Sequence, residues 1–491
     1  MPEISKEQFA KGTAWKLIER FAGRGISLVV SMVLSRILTP DDYGLITLTT
    51  VFTNLSEILI DAGFGTALIR KKEIDDGDYS CVFVINCLSS LLLYTILFFS
   101  APLISDYYEK PELIDILRVV SLVLFIQAFA TTRNAYVNRN MQFKLAMKCN
   151  TVAAVISGVL GICFAYLGFG VWALVFQRLL QQMIITILLF IGVKWHPKFV
   201  FNKSKLKSLL GFSAGVVGAS LLNYVENCVN SIIIGKHYSV ADLGYYDKGN
   251  ILPEQISLNS FGAMTNVLLP TVSSYQNNIE KLKEVIRKVL KYTSFLMFPI
   301  MFGMLMVSRE AIVVFFTDKW LQSIPLMRFI CIYYIATPLM LIDIQVFFGL
   351  GKSGLRVKTE IIRLLFIVTG VILCCFVFKA EIQYLAFANA IAACIGTIST
   401  HIGVRKLIGY TIFERIKDTY KSLISTVLMC IVLFAIIMTL NYFSFPIIME
   451  LVIEVLVGII VYMTSSLLLK NEVLFEILKV IKTRSKRKTS G

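Results

Sequence analysis

Fourteen long apolar stretches run along the chain, and polar segments separate them. A helix that crosses the hydrocarbon core of a bilayer needs about 20 mostly apolar residues. Lipid cannot satisfy free backbone groups, and these runs are too long for barrel strands, so each stretch is predicted to be a helix. The pattern predicts an all-α polytopic membrane protein with spans at residues 14–37, 44–66, 80–104, 113–135, 148–168, 171–193, 208–234, 249–275, 292–316, 323–348, 358–379, 383–404, 419–440 and 446–469.

Lysine and arginine are distributed unevenly over the segments that join the spans. The segments after even-numbered spans, with the C-terminal tail, hold 32 of them, and those after odd-numbered spans hold 6. Because basic residues concentrate in cytoplasmic loops, both termini are predicted to be cytoplasmic. Residues Asn278–Thr293 have apolar positions at helical spacing with basic residues between them, which predicts an interfacial helix on that face. Residues 409–421 and 473–488 are predicted to be either similar helices or short connectors.

The composition agrees with a membrane protein. The 491 residues are 56% hydrophobic and 16% charged, with a mean hydropathy of +0.74. The net charge of +16 at pH 7 does not indicate nucleic-acid binding, since the basic residues flank apolar segments on one side and are placed to meet an anionic leaflet. The ten cysteines and three histidines show no spacing typical of a metal site, so we expect no metal and no cofactor.

Charged residues lie inside the first two spans, where charge is costly. Arg20 and Arg24 share one face of span 1, and Glu57 and Asp61 share one face of span 2. With a rise of about 1.5 Å per residue, Arg24 lies at a depth similar to that of Glu57, and Arg20 at that of Asp61. Two compatible interpretations follow: a set of interhelical salt bridges, or an anion site whose arginines are paired in one conformation and exposed in another.

Later spans also contain ionisable or polar groups. Arg178 lies in span 6, Asp343 in span 10 and Arg363 in span 11. In span 7, four polar residues at positions i, i+3, i+4 and i+7 predict a polar face that lines a cavity: Asn223, Glu226, Asn227 and Asn230. Nearer the outer interface, three carboxylates are expected to snorkel or to pair at the surface: Glu310, Glu450 and Glu454.

An internal repeat relates the two halves of the chain. The segment Arg36–Gly44 joins spans 1 and 2, and Lys236–Gly244 joins spans 7 and 8, at an offset of 200 residues. Gly170–Leu174 and Gln383–Ala386 open spans 6 and 12 in equivalent places. Parallel repeats around a midplane site are a transporter architecture. We therefore predict two six-helix lobes and a terminal helix pair with a basic tail, at residues 1–205, 206–405 and 406–491.

Three motifs carry a resemblance to a known family. Ser35–Gly44, Asp61–Arg70 and Gly168–Val175 resemble the polysaccharide transporter family of the multidrug/oligosaccharidyl-lipid/polysaccharide exporter superfamily. Within it they are similar to the colanic acid and teichuronic acid exporter branch. The resemblance covers roughly residues 5–405.

This resemblance implies a Wzx-type flippase rather than an enzyme. Such proteins move undecaprenyl-diphosphate-linked oligosaccharides from the cytoplasmic to the outer leaflet of the bacterial plasma membrane by alternating access, for capsule, exopolysaccharide, O-antigen or teichuronic-type polymers. It also implies that the polymerase and co-polymerase of the same pathway are partners.

The resemblance also implies roles for the charged residues. Arginine offers phosphate a planar fork of donors, so four arginines are candidates to bind the diphosphate: Arg20, Arg24, Arg178 and Arg363. Three carboxylates are candidates either to carry a coupling H⁺ or Na⁺ or to pair with these cations: Glu57, Asp61 and Asp343.

Two alternatives stay open. The first is a cation-coupled multidrug exporter of the same superfamily, although a cavity of net positive charge disfavours cationic drugs. The second is a membrane-embedded glycosyltransferase or polymerase, which needs long external loops with catalytic carboxylates. The external segments here are short.

Overall fold

The computed structural model describes residues 23–61, 63–71, 74–195, 197, 217–218, 220–221, 224, 228–443 and 445–479. Within these ranges all the long regular elements are helices. The first half contains α1 (23–37), α2 (Pro40–Asp61), α3 (Phe64–Arg70), α4 (Asp76–Tyr108), α5 (Leu113–Val120), α6 (Val123–Arg139), α7 (Phe143–Tyr166), α8 (Val171–Gly192) and α9 (228–237). The second half contains α10 (Val240–Ser274), α11 (Ile279–Met306), α12 (Ser308–Phe316), α13 (Ser323–Gly349), α14 (Ser353–Ile372), α15 (Ile382–Ile408), α16 (Ile412–Phe443), α17 (Ile447–Leu468) and α18 (472–479).

The helices confirm the predicted all-α membrane class. Among the described residues, eleven helical stretches are long and apolar enough to cross a membrane. Of predicted span 1 the structure describes residues 23–37, as α1, and of predicted span 7 it describes residues 217–218, 220–221, 224 and 228–234. The eighth is present as α10, a 35-residue helix that contains Pro253 and Pro270 and is not among the eleven. The chain is therefore a multi-pass membrane protein.

The predicted interfacial helix at Asn278–Thr293 is not separate from span 9. One helix, α11, runs from Ile279 to Met306, and the Asn278 side chain caps it by accepting a hydrogen bond from the Lys281 amide at 3.1 Å. The apolar face of its basic half packs in a buried cluster with α13 and α15, and its interfacial position stays a prediction. Burial on that side keeps the helix continuous, and it ends only at Val307.

Of the two alternatives for residues 409–421, the short connector is wrong and the helix is present, since α16 begins at Ile412 and continues into span 13. Thr411 and Glu414 form a capping box there, with the Thr411 amide donating to Glu414 at 2.9 Å. The first turns of α16 therefore carry residues that hydropathy assigned to a loop. Conversely, predicted span 4 is divided at Ser121–Leu122 into α5 and α6.

Two arginines counted among the loop cations are buried inside helices. Arg133 in α6 is fully buried, and its guanidinium carbon lies 3.2 Å from the centre of the Phe190 ring. Arg415 in α16 is 7% exposed. Removing two of 32 residues leaves the bias between the two sets of segments intact.

Internal contacts divide the chain into two compact units, Met1–Asp247 and Lys248–Gly491. We call them unit 1 and unit 2. Unit 1 has a core of aromatic and aliphatic residues on α3, α4, α6 and α8, including Phe64, Leu68 and Phe83. Unit 2 has a core on α10, α11, α13 and α15, including Leu282, Ile286 and Phe347. The boundaries expected at 205/206 and 405/406 stay predictions.

Both copies of the repeated motif have the same local structure. Before α2, the Thr39 hydroxyl donates to Asp42 at 2.7 Å, and the Asp42 amide donates back to that hydroxyl at 3.3 Å. Before α10, Ser239 and Asp242 make the same two bonds at 2.7 and 3.0 Å. Each hydroxyl–carboxylate pair satisfies amides that the first turn of a helix leaves unpaired.

The glycines that follow these caps allow the starts of α2 and α10 to touch backbone to backbone. A Cβ atom at Gly44 would lie 1.8 Å from the carbonyl oxygen of Val240. A Cβ atom at Gly244 would lie 2.1 Å from the carbonyl oxygen of Pro40. The two contacts are reciprocal under the 200-residue repeat, so the repeat is expressed in packing as well as in sequence.

Candidate functional site: a polar cavity in unit 1

A polar cavity of about 740 Å³ lies within unit 1. Helices α2, α3, α6, α7 and α8 and the described part of residues 217–224 form its walls. Its lining is rich in amides, hydroxyls and carboxylates, and among the described lining residues there is no lysine or arginine. The polar side chains are Asn54, Glu57, Asp61, Thr66, Gln127, Thr131, Asn134, Asn138, Asn150, Gln182, Ser220 and Tyr224.

Helical spacing explains how two helices present these groups together. On α6, Gln127, Thr131, Asn134 and Asn138 recur at intervals of three and four residues, which places them on one face. On α2 the same spacing aligns the polar residues at positions 54, 57 and 61. A polar stripe on a membrane helix is stable when it faces water or polar partners rather than lipid.

The Glu57 carboxylate is paired within the cavity wall. Arg178 on α8 contacts it at 3.2 Å and also donates to the Asn54 side-chain oxygen at 2.8 Å. With the Gln127 amide nitrogen turned towards Glu57, this group donates to both carboxylate oxygens, at 3.1 and 3.2 Å. Glu57 and Arg178 therefore neutralise each other. Together with Gln127 they join α2, α6 and α8.

The Asp61 side chain marks a break between two helices. α2 ends at Asp61, Gly63 has a positive φ of 69°, and α3 begins at Phe64. One carboxylate oxygen of Asp61 accepts a hydrogen bond from the Gly65 amide at 3.3 Å. Asp61 thus stabilises the start of α3 while it lines the cavity.

The predicted polar face of span 7 is described only in part. Asn223, Glu226 and Asn227 lie outside the described residues, and Asn230 is half-buried on α9. Ser220 and Tyr224 of the same span do line the cavity. The Tyr224 hydroxyl donates to the Val51 carbonyl oxygen at 2.6 Å and so holds this segment against α2.

The four arginines predicted to hold a diphosphate are distributed over both units. Arg20 lies outside the described residues, and Arg24 is half-buried on α1. Arg178 is paired as described above. Arg363 belongs to unit 2, where it is 3% exposed and pairs with Glu360 of its own helix.

In unit 2, Asp343 on α13 is a charge-pairing residue. One of its carboxylate oxygens accepts a hydrogen bond from Arg415 at 2.8 Å and from the Thr400 hydroxyl at 3.2 Å. Asp343 is 1% exposed. Arg415 also donates to the Leu339 carbonyl oxygen at 3.3 Å, so the pair fixes the start of α16 against α13.

Sequence reasoning missed the amides of α6 and α8 and the partner of Asp343. The signal that could have found the α6 amides is their regular spacing at intervals of three and four residues, which places them on one helix face. Hydropathy places Arg415 in the segment after span 12, whereas the capping box at Thr411–Glu414 shows that the helix has already begun before it.

Comparison with known proteins identifies the family. Residues 33–325 match the family described as polysaccharide biosynthesis protein. The chain belongs to this family. It is 26% identical over 477 residues to the teichuronic acid biosynthesis protein TuaB of Bacillus subtilis. The matched region covers 94% of this chain and 96% of that protein. It is 23% identical over 329 residues to the succinoglycan biosynthesis transport protein ExoT of Rhizobium meliloti, covering 66% of each.

Solved structures of low sequence identity share the fold. The inward closed conformation of the lipid II flippase MurJ superposes with a TM-score of 0.73 at 17% identity, over 95% of this chain and 100% of that one. An inward-facing multidrug resistance MATE family transporter of the MOP superfamily gives a TM-score of 0.64 at 16% identity, over 79% and 94%. These likenesses show that this member of the polysaccharide biosynthesis family shares its fold with both proteins.

Proposed function

We propose that the protein is a flippase that moves an undecaprenyl-diphosphate-linked oligosaccharide from the cytoplasmic to the outer leaflet of the bacterial plasma membrane. The family, the relatives named for polysaccharide biosynthesis and the fold shared with a lipid II flippase support this proposal. In this proposal both termini are cytoplasmic, and the pathway's polymerase and co-polymerase receive the product.

The polar cavity in unit 1 is the observation that carries the proposal. Sugars present many hydroxyl groups, and amide side chains offer both donors and acceptors for them. The cavity brings amides from α2, α6 and α8 into one space of about 740 Å³, which is in the size range of ligand sites. We assign this cavity to the glycan part of the substrate.

The charged part of the substrate is assigned to arginine. Arg24 and Arg178, with Arg20, are the proposed contacts of the diphosphate in unit 1, and Arg363 is the candidate in unit 2. A phosphate that binds Arg178 must compete with Glu57, because that carboxylate already contacts one terminal nitrogen of the guanidinium. Glu57 and Asp61 are the proposed carriers of a coupling H⁺ or Na⁺ in unit 1. Asp343 is less suited to that role because Arg415 holds it.

A transport assay tests the assignment of the cavity. The protein is reconstituted into vesicles that contain lipid-linked oligosaccharide, and glycan that reaches the opposite leaflet is measured with an enzyme that cannot cross the membrane. Asn134→Ala together with Asn138→Ala removes two amides from the α6 face. At about 1 kcal/mol for each of the two hydrogen bonds, transport at limiting substrate should fall about thirtyfold.

Asn140→Ala is the matched control. Asn140 ends the same helix and donates to the Tyr136 carbonyl oxygen at 2.9 Å, and it does not line the cavity. Wild-type transport by the cavity variant would remove the cavity from the proposal. Drug resistance without glycan transport, in a host that lacks its own pumps, would favour the multidrug exporter instead.

A further inference from the structure

Three carboxylates that hydropathy places near the outer interface are buried inside unit 2. Glu310 lies in the first turn of α12, and Glu450 and Glu454 lie one turn apart on the same face of α17. Their exposed fractions are 4%, 7% and 1%. The expectation that they lie at the surface is therefore wrong, because α12 packs against α17 and covers them. The expected pairing holds for Glu310, which Arg309 approaches.

Glu454 has the most isolated position of the three. Its Oε2 atom is buried and has no hydrogen-bond partner. The charged groups that act on it are Glu310, Glu450 and Arg309. α16 and α11 also pack against α17, but α16 has no charged residue after Lys421 and α11 has none after Lys291.

The nearby positive charge is insufficient for three anions. Arg309 approaches Glu310 at 3.8 Å, and its side chain is 53% exposed while that of Glu310 is 5% exposed. Arg328 of α13 also reaches the start of α12, where it donates to the Ser308 hydroxyl at 2.8 Å. If all three carboxyls were ionised, at least one buried negative charge would remain without a cation. An unpaired buried charge is far more costly than a protonated carboxyl.

We propose that Glu454, together with Glu310 and Glu450, forms a proton-binding site in unit 2. The site holds one proton in this conformation. The proton moves from a carboxyl oxygen to water when the α12–α17 contact opens, and it returns when the contact closes. A proton fits an orphaned carboxyl oxygen, whereas a sodium ion needs several oxygen ligands around it. The use of this proton in a transport cycle rests on the proposed function, but its presence does not.

Infrared spectroscopy of the purified full-length protein in lipid nanodiscs tests the site without any substrate. At pH 7 the wild type should show the C=O stretching band of a protonated carboxylic acid, and Glu454→Gln should lose it. Glutamine has the shape of a protonated glutamate, so the fold should be retained. Glu112→Gln is the control, because Glu112 is exposed before α5 and its loss should leave the band unchanged.

A second variant keeps the test decisive if Glu454→Gln does not fold. Glu450→Gln removes a negative neighbour, so the pH at which the band fades should fall by about one unit. The proposal is overturned if the wild type lacks the band, if Glu454→Gln retains it, or if the fading pH does not move in Glu450→Gln. It is also overturned if Na⁺ raises the thermal stability of the wild type but not of Glu454→Gln. Failure of glycan transport with these infrared results intact would refute only the proposed function.

Discussion

The backbone contact between α2 and α10 makes a specific prediction for Gly44→Ala. The new Cβ atom would lie 1.8 Å from the Val240 carbonyl oxygen and 2.6 Å from its carbon. Real Cβ contacts are essentially never shorter than 3.0 Å, so the two helix starts must separate by about 1.2 Å. Backbone atoms cannot rotate out of the way as a side chain can. Overpacking of this kind costs about 1–3 kcal/mol.

Gly244→Ala tests the reciprocal contact. Its Cβ atom would lie 2.1 Å from the Pro40 carbonyl oxygen, so a separation of about 0.9 Å relieves it. One separation relieves both contacts, and the double variant should therefore lose less stability than the sum of the two single losses. Gly354→Ala is the control, since a Cβ atom there meets nothing within 4 Å.

Thermal unfolding in detergent measures the stability, and hydrogen exchange with mass spectrometry measures the local opening. Both glycine variants should unfold at a lower temperature, with faster amide exchange in residues 39–48 and 239–248. The control should match the wild type. Wild-type exchange in Gly44→Ala, or full additivity in the double variant, would show that the two helix starts do not share one close crossing.

Two further predictions concern charges in unit 2. Asp343→Asn leaves Arg415 buried without its carboxylate and should destabilise the protein by about 3–5 kcal/mol, measured by unfolding in detergent, whereas Asp115→Asn at an exposed position should have no effect. The second concerns α18, where Lys291 lowers the pKa of Glu472, and Tyr292 with Lys288 lowers the pKa of Glu476. Since both folded-state pKa values lie below the ordinary value of about 4.3, these contacts stabilise the docked helix above that pH and are lost as the pH falls through the lowered values. Proteolysis of residues 472–479 should therefore accelerate on acidification, and Glu472→Gln with Glu476→Gln should remove that dependence.

The sequence predicted the helical class and most of the spans because hydropathy is a local property. Helix breaks were harder to predict. The break after Asp61 depends on a positive φ at Gly63 and on a side chain that caps the next helix, and neither changes the hydropathy. The burial of Arg415 depends on Asp343, which is 72 residues earlier in the chain. Pairing at such a distance cannot be inferred from a local pattern.

The candidate binding site was predicted from charged residues inside the spans. In the described structure several of these residues form ion pairs within the protein. Glu57 holds Arg178, Glu360 holds Arg363, and Arg415 holds Asp343. An arginine already paired with a carboxylate binds phosphate only by exchanging partners, so its contribution to affinity is the difference between two ion pairs rather than the whole of one.

Amides impose no such exchange, because a neutral donor and acceptor can release water and bind a sugar hydroxyl directly. The described chemistry of the unit 1 cavity therefore favours recognition of the glycan by the amides of α6. The paired arginines are then better suited to respond to the arrival of the phosphate than to hold it in advance. On this reasoning the carboxylate partner of each arginine determines when the anion binds.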